Sequence, residues 1–71
     1  MKQILEIIPA GGISFDVYLA DDDSLMRGIH LGRMEFGSID ANGQYVDTDE
    51  QIVAHARKTF DIGNNIEAQV L

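Results

Sequence analysis

Ile13-Ser14-Phe15-Asp16-Val17-Tyr18-Leu19-Ala20 sets Ile13, Phe15, Val17 and Leu19 in strict alternation with Ser14, Asp16, Tyr18 and Ala20. Successive side chains of a strand point to opposite faces, so this stretch predicts a strand with one apolar face and one wet face. A period of two at this length requires a sheet-based fold, and the flanking segments are read against that sheet.

Upstream, Lys2 to Ile8 is rich in Ile and Leu and stops at Pro9, as a first strand does. Ala10-Gly11-Gly12 follows as a turn, so the first two strands make an opening hairpin. The first strand is apolar on both sides, with Ile4 and Ile8 on one face and Leu5 and Ile7 on the other. That pattern belongs to a central strand or to an interface.

Downstream, Asp21-Asp22-Asp23-Ser24 ends the second strand, and Leu25 to Gly28 reads as one helical turn capped by Asp23 or Ser24. Alternation resumes at Ile29 and Leu31 and again at Met34, Phe36 and Ile39, while Gly28, Gly32 and Gly37 oppose a long helix. One or two short strands with a break or bulge near Gly32 fit this region. Asp40-Ala41-Asn42-Gly43 forms a turn and Gln44-Tyr45-Val46 a returning strand.

Thr48-Asp49-Glu50-Gln51 has the form of a capping box, with Asp47 as a competing cap. Ile52, Val53, Ala56 and Phe60 line one face at helical spacing, acids open the helix, and Arg57 and Lys58 close it. Gly63 is placed to end it in the left-handed conformation. Ile66, Ala68 and Val70 then alternate as a last strand.

The expected fold is α+β: a small antiparallel sheet of four to five strands with one helix packed on one face, in the order β-β-β-β-α-β. Residues 1–71 form a single compact domain. Its core candidates are Leu5, Ile7, Phe15, Val17, Leu19, Ile29, Leu31, Phe36, Ile52, Val53, Ala56, Phe60, Ile66, Ala68 and Val70.

Twelve carboxylates oppose five Lys and Arg among 71 residues, for a formal net charge of -7. That field repels nucleic acid and anionic lipid and attracts basic protein surfaces. A chain this short buries only about 60% of its unfolded surface, so self-repulsion weighs on a small stability and a bound partner relieves it. With no cysteine, disulfides, thiolate metal sites and a Cys nucleophile are excluded, and a reducing compartment is favoured. The apolar run at the N-terminus is short and interrupted by Glu6, so it reads as neither signal peptide nor membrane span. The expected location is cytoplasmic.

No catalytic, cofactor or metal pattern emerges. An EF-hand loop needs Gly at its sixth position and Glu at its twelfth. Counted from Asp21 those positions hold Met26 and Gly32, and counted from Asp40 they hold Tyr45 and Gln51. His30 and His55 lack the spacing of a metal pair, and Ser14, Ser24 and Ser38 have no activating context. The glycines form no phosphate loop, and the scattered basic residues form no nucleic-acid footprint.

The composition therefore points to a non-enzymatic, protein-binding role against a basic surface, with no cofactor, no direct nucleic acid and no membrane. Asp16, Tyr18, Asp21, Asp22, Asp23, Glu35, Asp49 and Glu50 are the candidate contact residues, Tyr18 as an aromatic anchor for a cation. In its strong form the carboxylates imitate nucleic-acid phosphates and block a basic cleft. In this profile of small size, acidity and absent catalytic motifs, the chain is similar to phage-encoded inhibitors, anti-CRISPR proteins among them. The alternative is a small self-associating structural or accessory subunit, and a homodimer is compatible with both readings.

Overall fold

In the computed structural model, which describes residues 2–21 and 28–71, the alternating stretch becomes β2 (Ser14–Asp21), antiparallel to β1 (Gln3–Pro9). Gly11 and Gly12 turn the chain between them at φ of 99° and 56°, values that disfavour any side chain. β3 (Ile29–Glu35) adds antiparallel to β2; α1 (Asp49–Phe60) follows, and β4 (Glu67–Val70) completes a sheet of order β3-β2-β1-β4. The fold is α+β, as the sequence indicates.

Two details of the expected sheet are corrected. β4 pairs parallel to β1, so the sheet is mixed rather than antiparallel. The cause is the connection: a hairpin reverses direction, whereas a helical crossover returns the chain parallel. The expected fourth strand before the helix is reduced to one bridge, Ile39 to Tyr45. Around it Asp40 N donates to Gln44 O and Val46 N to Ser38 O, while side chains take other amides: the Asp40 carboxylate accepts from Asn42 N and Gln44 N, and the Asp47 carboxylate from Ser38 N. The proposed helical turn at Leu25 to Gly28 falls largely outside the described residues.

β1 lies between β2 and β4, which accounts for its two apolar faces. One sheet face carries Leu5, Ile7, Phe15, Val17 and Met34, buried beneath Ile52 and Ala56 of α1. The bulge expected near Gly32 is present: Val17 pairs with Gly32 and Tyr18 with His30, leaving Leu31 unpaired. Gly32, at φ 153°, has the Phe60 ring so close that a Cβ would come within 2.9 Å of Cε1.

The helix ends over this position, and that explains a second correction. Ile29, read as core, is 70% exposed because it lies beyond the last helical residue. Met34, absent from the expected core, is buried beside Phe15, because the bulge restores the inward phase at Gly32 and Met34.

The capping box forms as expected: Gln51 N donates to Thr48 Oγ1 at 3.3 Å and Thr48 N to Gln51 Oε1 at 2.9 Å. The helix stops two residues earlier than Gly63 suggests, with Asp61 in the left-handed region at φ 56°, ψ 50°. Asp tolerates that region better than bulkier side chains do. Ending there releases Ile62 to pack against the core.

Candidate protein-interaction site

The eight candidate contact residues do not converge on one surface. Asp16, Tyr18 and Glu35 lie on the sheet face opposite α1, alongside Ile4, Glu6 and Ile8, which share their pleat phase across β1 and β2. Asp21 sits at the far end of β2, Asp49 and Glu50 open the helix, and Asp22 and Asp23 fall outside the described residues.

Asp16 is already engaged. Arg33 donates to it twice, Nε to Oδ1 and Nη2 to Oδ2, each at 3.1 Å, and His30 Nε2 lies 3.2 Å from Oδ1. Cross-strand pairing sets this up, since Asp16 faces Arg33 and Tyr18 faces His30. The Arg33 hydrogen bond holds the Asp16 carboxyl below its ordinary value, partial desolvation opposes it, and His30 adds to the lowering. The Tyr18 ring leans on His30 at 4.8 Å, so it covers a neighbouring strand's side chain. This sheet face is internally charge-paired. At its β4 margin Lys2 Nζ likewise holds Glu67 Oε1 at 2.8 Å.

A different grouping emerges at the end of the molecule where β3 finishes. From Met34 to Ala56 the chain contains Glu35, Asp40, Asp47, Asp49 and Glu50 but no Lys or Arg. Two ring contacts fix where the helix lies. Phe36 stacks on His55 at 4.6 Å and 24°, and Phe60 sits over Gly32, so α1 runs antiparallel to β3. Asp49 therefore projects about 9 Å along the helix beyond the level of Phe36. Glu35 pairs across to Ser14 at the same end, and the 36–48 loop joins the two.

Tyr45 pins that loop. Its ring meets Phe15 edge-on at 5.6 Å and 80°, and its hydroxyl donates to the Phe36 carbonyl at 2.5 Å. Burial, with the nearby Asp47 charge, pushes the Tyr45 phenol above its usual value. Gly37, at φ 107°, lies where a Cβ would run into the Tyr45 hydroxyl and the Asp47 carboxylate, so only glycine lets the loop close this tightly. A compact, aromatic-anchored loop thus holds acids near the acids of the helix N-terminus. Glu35, Asp40, Asp49 and Glu50 are exposed, and Asp47 is half-buried.

Asp40 and Asp47 appear in the sequence as turn and cap residues, so their membership in this group is not evident from their local roles. The usable signal is the cation-free interval between Arg33 and Arg57.

On the other side of α1, an open groove of about 860 Å³ runs between the helix and β4, floored by Val53, Ile62, Ala68 and Val70. Asp49 and Glu50 stand at one end of its helical wall, Arg57 and Lys58 at the other. Among the described residues no group of three His, Cys, Asp or Glu is placed to hold a metal. Among them, too, no helix is long and apolar enough to cross a membrane. Comparison of the chain with protein-family models, with curated proteins and with solved structures finds no match.

Proposed function

We propose that this chain is a non-enzymatic binding module whose acidic end, formed by Glu35, Asp40, Asp47, Asp49 and Glu50, docks on a basic surface of a partner protein. The observation that carries this reading is that Asp40, Asp47, Asp49 and Glu50, with Glu35 on the reverse sheet face at the same end, belong to a segment that has no Lys or Arg. Elsewhere the acids Asp16 and Glu67 are matched by Arg33 and Lys2. A concentrated negative field at this end steers a cationic surface and favours one orientation of it. In the finer form of the proposal the protein is an inhibitor: fixed carboxylates stand in for phosphates and occupy a nucleic-acid-binding cleft.

The test separates placement from total charge. One variant carries Glu35→Gln, Asp49→Asn and Glu50→Gln. A second removes three charges elsewhere through Asp21→Asn, Asp61→Asn and Glu67→Gln. Binding to a Lys/Arg-rich peptide at low salt is expected to weaken at least severalfold more in the first than in the second. Equal losses in both would reduce the effect to net charge and sink the proposal.

A further inference from the structure

We infer that the outer edge of β4 is a self-association seam, on which a second copy of this chain adds its own β4 antiparallel across a two-fold axis. The inference does not require the acidic-end reading, although it engages Asp49 and Glu50 in a different contact, and it starts from the backbone.

Leu71 N donates to the Ile7 carbonyl at 2.9 Å, and Ile7 is paired with Val70. In a parallel ladder this phase turns the N–H and C=O of Glu67 and Gln69 toward β1 and those of Ala68 and Val70 outward. No other described strand lies beyond them, because β4 ends the sheet.

Edge strands are ordinarily blunted by shortness, bulges, prolines or charged side chains. The opposite edge has such protection: β3 carries the Leu31 bulge and Arg33. β4, Glu67-Ala68-Gln69-Val70, is shielded only by its shortness and by Glu67, which Lys2 holds, and has neither proline nor bulge.

Two features select a second copy as the occupant. First, the register that sets Ala68 against Val70 of the partner subunit uses every outward group of both strands, as two wide hydrogen-bonded pairs around a central Gln69. Second, the groove wall is self-complementary in charge. The two-fold axis runs one helix antiparallel to the other, so Asp49 and Glu50 of each copy come alongside the Arg57 and Lys58 end of its mate. The apolar floor at Val53, Ile62, Ala68 and Val70 then lines a shared channel, and the two sheets become one. Glu35, on β3, stays three strands from this seam.

The experiment is sedimentation of the intact chain over a wide concentration range. The expected mass rises with concentration from 7.8 kDa to twice that value. Ala68→Pro removes an outward donor and sets a ring against the incoming strand, and should hold the protein at the monomer mass. Because proline at 68 also loads β4 itself, a charge pair supplies the second arm. Lys58→Glu and Glu50→Lys, each alone, should weaken the dimer roughly tenfold, since symmetry counts each change twice. The double variant should recover it. A chain that stays at 7.8 kDa throughout, or a dimer untouched by Ala68→Pro and by both charge variants, would overturn the inference.

Discussion

Asp16 is the residue with the most definite chemistry, being held by Arg33 and His30 on an otherwise open sheet face. Its carboxyl is lowered from 3.8 chiefly by the Arg33 hydrogen bond, so its contribution to stability is fully present above that value. It is lost as pH falls through the lowered folded-state value. Urea unfolding followed into acid should therefore show a decline that Asp16→Asn flattens, and an unchanged acid limb would remove the pair from the account. Tyr45 sets the loop in the same way that Asp16 sets the sheet face. Tyr45→Phe should cost about 1 kcal/mol through loss of the bond to Phe36. Gly37→Ala should cost more, because both the positive φ and the crowding by Tyr45 and Asp47 act against it. Thermal unfolding of the two variants side by side orders these effects. Neither role is legible in sequence: a Tyr in a short run after Asn-Gly reads as strand, and only the tertiary contact with Phe15 makes it an anchor.

At the scale of elements, local signals carry far. The alternation at Ile13 to Ala20 defines β2, and Thr48 with Gln51 defines the helix start. Thr48→Ala should cost about 1 kcal/mol by freeing the first-turn amides, measurable by urea unfolding. Ile7→Ala, at a fully buried site between β2 and β4, should cost about 2–5 kcal/mol. What local pattern does not carry is the outcome of competition. Gly63 is a good helix terminator, yet Asp61 takes the left-handed position because Ile62 gains burial by leaving the helix there. Ile29 has the right phase for the core, yet α1 is too short to cover it. Likewise the residues after Asn42-Gly43 have strand character and make two backbone bonds to Ser38 and Asp40, but the Asp40 and Asp47 carboxylates take the amides of Gln44 and Ser38, and the pairing stops at one bridge.

For the molecule as a whole, the question is where the charge lies. The sequence shows a net charge of -7 and, at Asp21 to Asp23, three adjacent acids. The fold adds a second concentration at one end, because Asp40 and Asp47 in the loop and Asp49 and Glu50 on α1 come to the end of β3 that carries Glu35 only after the helix turns back along the strand. Pairing meanwhile withdraws Asp16 and Glu67 from the outward field. Screening of such a field by salt should weaken any cationic ligand steadily as ionic strength rises. The most direct measurement is backbone amide NMR of the labelled chain titrated with a short Lys/Arg-rich peptide. Shifts are expected to concentrate over residues 35–50 and to fade with added salt. Shifts centred on Asp21 and its neighbours, or on the strands of the open sheet face, would contradict docking at the acidic end.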